Sequence, residues 1–243
     1  MALLALWELV TRTGLVNTSA LPTASAVISE LPHILVSPTF WSALGHTLFS
    51  SIVGFLLGVV IAVPLGTILG SNRILYRSAT VVVEFLKPIP VVALLPLALL
   101  VYGTTEQMKL SLITFGTVWP LLIQVIYGVR SVDSVAAATA RSFRVGPMRR
   151  FFFVTMPSAG PYMATGIRIA GVSAVLLSIV TELVGRAPGL GLEIVRAQSA
   201  AQFAQLYAYV LLTGFLGVAV NIALERAERR AMHWHPSQRQ AER

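Results

Sequence analysis

The 243-residue chain contains no cysteine, which excludes a disulfide framework, a thiolate nucleophile and a Cys-ligated metal. Charge is also scarce. Only 12% of residues are Asp, Glu, Lys or Arg, against roughly a quarter in soluble domains. No Lys or Arg stands between Thr13 and Asn72. There is no Gly-x-x-x-x-Gly-Lys-Ser/Thr phosphate loop, so ATP hydrolysis is not expected in this chain. The histidines are His33, His46, His233 and His235, with no His-Glu-x-x-His among them, and no metal site, catalytic residue or cofactor is assigned. The opening MALLALWELVTR lacks the basic segment and the Ala-x-Ala site of a cleavable signal.

What the chain does have is apolar surface. Hydrophobic residues make up 56% of it, and the mean hydropathy is +0.78. The net charge of +8 does not indicate nucleic acid, because the cations cluster between apolar runs rather than along one soluble face. A bilayer-crossing helix needs about 20 mostly apolar residues. Residues 47–70, 88–105 and 110–129 meet that with no charge at all. Residues 162–185 carry only Arg168 and Glu182 near their ends, and residues 197–224 are uncharged. These five runs predict five spans of an all-α membrane protein. Residues 1–10 are apolar but half a span long, so a sixth is incomplete. Residues 104–109 read as a tight polar turn. Residues 14–46 read as an outer segment that Pro22, Pro32 and Pro38 break into short pieces. The expected division is residues 1–43 as partial first span and outer segment, 44–228 as membrane domain and 229–243 as basic tail.

Cations orient such a protein, because they accumulate on the cytoplasmic side. If the five spans alternate, twelve Lys and Arg fall on the side of the 130–161 loop and the carboxyl terminus, and four at most on the other. The carboxyl terminus is therefore expected in the cytoplasm. Ser50, Gly54, Gly58, Ala62, Gly66 and Gly70 form a small-residue stripe. It serves either packing within the chain or a subunit interface. Pro64, Pro88, Pro90, Pro96 and Pro120 sit in or beside spans. Each frees a carbonyl that neighbours or cavity water must satisfy, as in transporter-like bundles.

The loop at 129–161 reads VRSVDSVAAATARSFRVGPMRRFFFVTMPSAGP. It is far longer than the usual helix–helix link of about 2–8 residues, and it holds Arg130, Arg141, Arg144, Arg149 and Arg150. Asp133 or Ser134 can cap a helix over 135–143. Gly146-Pro147 ends that helix and starts a second, which Met156-Pro157 is expected to close. A short Ala-rich helix there has little apolar surface of its own, and a partner groove would explain it.

Of the polar groups at membrane depth, Glu182 is the clearest functional candidate, and because it lies near the outer end a structural ion pair or a simple interfacial position is the equal alternative. Gln124, Ser173, Ser178 and Asn221 are weaker candidates for a pathway, since such groups also bond across helices or to their own backbone. Arg168 and Lys87 suit interfacial positions. Gly189-Leu190-Gly191 reads as a turn. Two other functions stay open. A self-contained channel or secondary transporter would leave the long loop unexplained and usually shows an internal repeat. An intramembrane enzyme lacks an evident base for Ser173.

The order Asp133, Ala138-Thr139-Ala140, Arg141-Ser142, Met156-Pro157 resembles the "EAA" loop of ABC importer permeases. The likeness runs over nearly the whole chain and is nearest the nitrate/sulfonate/taurine group. Trp7-Glu8-Leu9, Pro88-Ile89-Pro90, Tyr127-Gly128-Val129-Arg130, Gly166-Ile167-Arg168, Glu182-Leu183 and Gly189-Leu190-Gly191 carry it further. Ala138 stands where the pattern has Glu, and Arg144 where it has Gly, with Gly146 two positions on. The resemblance implies a type I ABC importer transmembrane domain in the cytoplasmic membrane of a prokaryote, with lipid around it. Two copies would form the pathway, two ATPase subunits would each receive a loop helix, and an outer solute-binding protein would deliver a small anion. Asp133, Ala138, Thr139, Ala140, Arg141, Ser142, Arg144, Gly146 and Pro157 are then the coupling residues. With the Glu absent, docking rests on shape and backbone, and a Trp at Ala140 is expected to block it.

Overall fold

The computed structural model describes residues 2–13 and 21–232. His233, His235, Arg239, Arg243 and most of the expected 229–243 tail lie outside the described residues, as do residues 14–20. The elements run α1 (Ala2–Arg12), α2 (Ala24–Val36), α3 (Pro38–Ser71), α4 (Arg73–Leu86), a 3-10 turn (Val91–Leu94) and α5 (Leu95–Tyr102). They continue with α6 (Glu106–Arg130), α7 (Ser134–Ser142), α8 (Pro147–Arg150), a π turn (Phe151–Thr155), α9 (Met156–Gly185), α10 (Leu190–Ser199) and α11 (Phe203–Ala231). Every regular element among the described residues is helical, and four stretches are long and apolar enough to cross a bilayer.

The axis of the bundle is α6. Its most apolar window is 56% buried, against 28% for α3 and 17% for α11, so α3 and α11 sit at the periphery with faces left for lipid or another subunit. Water drives no helix association inside a bilayer, so close backbone approach must supply the attraction. The small-residue stripe does this within the chain. Gly54 faces Ile113, Gly58 faces Thr117, Gly66 faces Val125 and Gly70 faces Val129. A methyl on Gly58 would lie 2.2 Å from the Thr117 hydroxyl, so larger residues would push α3 off α6. On the other side of α6, α9 brings Ala159 against Gly128 and Gly166 against Gln124.

Several sequence expectations need correction. Residues 88–105 are not one straight span. Pro88 and Pro90 cannot donate backbone hydrogen bonds, and the chain turns there, so α4 and the 91–102 helix meet at 76°. The bent pair still covers the full distance along α6. Tyr76 and Val83 lie beside Ile126 and Tyr127, Val91 beside Gly116, and Leu95 beside Met108. Residues 104–109 are not wholly a turn, because α6 begins at Glu106 with the Thr105 hydroxyl as its cap. Pro32 lies inside α2, and residues 38–46 already belong to α3. Residues 197–224 are divided by a break at 200–202, where Ala201 has φ +55°.

Met156-Pro157 closes nothing. The second loop helix runs through the π turn directly into α9, with Pro157 in the first turn of α9. Pro157 has no N–H to give. The wider turn accommodates this with a bond from the Met156 N–H to the Phe151 carbonyl. Ser158 adds a hydroxyl bond to the Val154 carbonyl at 2.7 Å.

Candidate functional site

The bundle has two chemically distinct ends. At the end away from the loop, the first turn of α6 and the last turn of α9 bring together Lys109 and Glu182. Both side chains are 0% exposed, and Lys109 Nζ lies 2.8 Å from Glu182 Oε1. Lys109 also donates to the Pro188 carbonyl at 2.7 Å, and Glu106 Oε2 is 3.5 Å away. Glu182 is saturated. It accepts from the Ser178 hydroxyl at 2.9 Å, the Thr47 hydroxyl at 3.0 Å and the Gly191 N–H at 3.0 Å. The Thr47 oxygen in turn accepts from the Leu190 N–H at 3.0 Å. A charge taken out of water needs this degree of compensation.

The Gly189–Gly191 turn makes the seat possible. Gly189 has φ +148°, and a Cβ there would fall 2.1 Å from the Glu182 carboxyl carbon. The turn that the sequence shows is therefore a lid over a buried carboxylate. Beside it, Glu106 accepts from Ser50 at 2.5 Å and meets His46 Nδ1 at 2.9 Å. One network thus fastens α3, α6, α9 and the 186–191 connection.

The loop end is open. The Asp133 carboxylate accepts the Val135 N–H at 2.9 Å and starts α7. Val135, Ala138, Thr139 and Ser142 follow helical spacing along one face, and all four are exposed. Phe143, at the end of α7, is 79% exposed, and Met148 is 71% exposed. Ala140 points the other way and is 7% exposed. A Trp at Ala140 would therefore disrupt the loop's own packing rather than obstruct a partner. The positions that test docking are Ala138 and Thr139.

Arg144 explains how the loop bends. It has φ +51°, the left-handed conformation in which a helix commonly ends on glycine. The Val145 N–H returns to the Ala140 carbonyl at 2.9 Å and the Phe143 N–H to the Thr139 carbonyl at 3.0 Å. The backbone thus keeps the shape that calls for Gly although the residue is Arg, at a cost of about 1 kcal/mol. Gly146 does not take over this role, since its φ of −58° suits any residue.

The pathway candidates are only partly brought together. Ser178 and Glu182 meet in the buried network. Gln124 is half-buried against Gly166, Ser173 is half-buried on α9, and Asn221 is exposed on α11. Arg168 pairs with Glu228 at 3.2 Å, fastening α9 to α11 near the loop end, and Lys87 pairs with Glu84 at 2.5 Å. Sequence reasoning missed Lys109, Glu106, His46, Thr47 and Ser50 as one cluster. A signal existed for Lys109. It stands three and four positions before Leu112 and Ile113, which places it on the buried face of α6.

A family model described as the binding-protein-dependent transport system inner membrane component matches residues 62–232. The chain is 27% identical over 235 residues to the aliphatic sulfonates transport permease protein SsuC of Escherichia coli (strain K12), covering 97% of this chain and 89% of that protein. It is 28% identical over 244 aligned positions to the taurine transport system permease protein TauC of the same organism, covering 96% and 86%. Against the nitrate import permease protein NrtB of Synechocystis the identity is 26%, over 84% of this chain and 77% of that protein. Among solved structures, a chain of the MetNI methionine ABC transporter in an inward-facing conformation superposes with a TM-score of 0.69 at 22% identity, covering 80% of this chain and 98% of that chain.

Proposed function

The chain belongs to the binding-protein-dependent transport system inner membrane component family, and on that premise we propose that it imports a small anion as one of two copies driven by separate ATPases. Its fold is the transmembrane domain of type I ABC importers. It is a multi-pass permease subunit of an ABC importer, not an enzyme. The anion class follows from relatives named for sulfonates, taurine and nitrate. An outer solute-binding protein would deliver the cargo.

The observation that carries the coupling reading is the outward face of α7, with Val135 and Phe143 exposed beside Ala138 and Thr139. Apolar side chains on a loop otherwise surrounded by cations call for a covering partner. In this reading the loop and the carboxyl terminus face the cytoplasm, which the distribution of arginines supports. Closure of the ATPases pushes on α7. The push reaches α6 through residues 131–133 and α9 through the unbroken helix beyond the π turn. At the far end the Lys109–Glu182 network ties the same two helices together. The α6–α9 pair is thus held at both ends and moves as one body, so a displacement at the loop reaches the opposite face.

The test is ATP-dependent uptake by the reconstituted complex. Ala138→Trp should insert normally and abolish uptake, and Ala138→Glu should keep or raise it. Full uptake with Ala138→Trp at normal membrane abundance would mean that α7 does not dock.

A further inference from the structure

Beside α7, on the flank that carries Ala137 and Arg141, lies a cavity of about 470 Å³. This is within the range of about 300–1,000 Å³ typical of ligand sites. Its walls come from α3, α6, α7, α8 and the π turn. Ser71 closes α3, Val129 stands in the last turn of α6, Arg141 projects from α7, and Arg150, Phe151 and Val154 come from α8 and the π turn. No Asp or Glu lines it. Neither Arg141 nor Arg150 forms an ion pair among the described residues. The nearest carboxylate in sequence, Asp133, is already engaged as the cap of α7. The cavity therefore combines two guanidinium groups that have no ion pair among the described residues with an apolar wall, at the loop ends of α3 and α6. The π turn forms part of that wall, and such turns are frequently found at functional sites.

We propose that this cavity binds a phosphate ester, specifically the headgroup of an anionic phospholipid, with Arg141 and Arg150 on the phosphate and the acyl chains running along Phe151 and Val154. Guanidinium groups suit phosphate oxygens geometrically, and basic pockets between helices at the cytoplasmic surface take such headgroups. The choice of lipid over a free anion follows from the apolar wall, which inorganic phosphate would leave exposed. The assignment to the cytoplasmic leaflet rests on the orientation proposed above, whereas the site itself does not. Because the cavity lies between α7 and the helices it moves, a bound lipid would wedge the lever in place. Transport would then depend on the anionic lipid content of the membrane.

The test is native mass spectrometry of the intact detergent-solubilised complex offered phosphatidylglycerol or phosphatidylcholine. Binding is read without transport or topology, so it stands or falls separately from the import reading. The native complex should retain phosphatidylglycerol in preference to phosphatidylcholine. R141Q and R150Q should each lower retention about fivefold, and the pair about 25-fold, at roughly 1 kcal/mol per cation. R149Q, which removes a cation outside the cavity, should change nothing. R141K/R150K, which keeps both charges but loses the guanidinium fork, should recover part of the binding lost in R141Q/R150Q and so separate charge from folding. Equal retention of the two lipids, unchanged binding in R141Q/R150Q, or no recovery in R141K/R150K would overturn the proposal. Displacement of phosphatidylglycerol by millimolar inorganic phosphate, with phosphate retained in its place, would overturn the lipid as the source and leave a soluble phosphate as the ligand.

Discussion

At one end of the bundle Lys109 and Glu182 are wholly buried and every polar atom around them has a partner, while at the other end Phe143 and Met148 stand more than two-thirds exposed on a basic loop. The first region satisfies itself. Its charges were costly to bury, and the Ser178, Thr47, Gly191 and Pro188 bonds offset that cost only in one geometry. The second region leaves its apolar groups uncovered. The contrast separates a region that is internally complete, where the far end fixes the relation of α3, α6 and α9, from a region that, in the coupling role proposed above, receives another chain and passes its movement to those helices.

The sharpest way to break the first half of that contrast is Lys109→Met. It would leave the Glu182 carboxylate buried without its cation, and loss of one member of a buried pair costs about 3–5 kcal/mol. Thermal unfolding in detergent should show a large drop, together with low membrane abundance. The double substitution Lys109→Met with Glu182→Met removes both charges and should recover most of the loss. A double variant as unstable as the single one would show that packing, not charge, holds this end together.

A smaller effect sharpens the second half. Arg144→Gly relieves a left-handed residue and should stabilise the loop by about 1 kcal/mol, seen as slower amide exchange at 143–145. Faster exchange would show that the Arg side chain itself braces the bend.

The smallest effect concerns α1, which is stapled to α2 by Glu8. The carboxylate accepts the Ser25 N–H at 3.0 Å, and that bond, helped by Arg12, holds its pKa below the ordinary carboxylate value. A lowered pKa means that the contact is fully present above the ordinary value and is lost as pH falls through the lowered one. Trp7, whose indole donates to the Pro22 carbonyl at 3.1 Å, should report the change by fluorescence on acidification. Glu8→Gln should flatten the profile, and an unchanged acid transition in that variant would assign it to another group.

Much of this was legible from the chain. Long apolar runs located α3, α6, α9 and the membrane part of α11, and Asp133 was readable as the start of α7. Glu182 was identifiable because a carboxylate within an apolar run is rare enough to need a reason. Its partner was obscured, because Lys109 stands beside a polar turn and 73 positions away from Glu182, and nothing local pairs them. The bend between α4 and α5 was hidden because residues 88–105 carry no charge and so read as one run, although Pro88 and Pro90 interrupt the backbone bonding within it. The π turn was hidden for the opposite reason: Met156-Pro157 looks like an ending, but a proline in the first turn of a helix is equally a beginning.

The most direct test of the central claim uses the absence of native cysteine, since a single introduced thiol is then unique in this chain. Ala138→Cys and Ala140→Cys, each labelled with a short thiol-directed photo-crosslinker in the assembled complex, compare the outward and inward faces of α7. The account predicts a crosslink from position 138 to the ATPase subunit, and from position 140 only within the chain or none. A crosslink to the ATPase from 140 but not from 138, or from neither in an actively transporting complex, would contradict it.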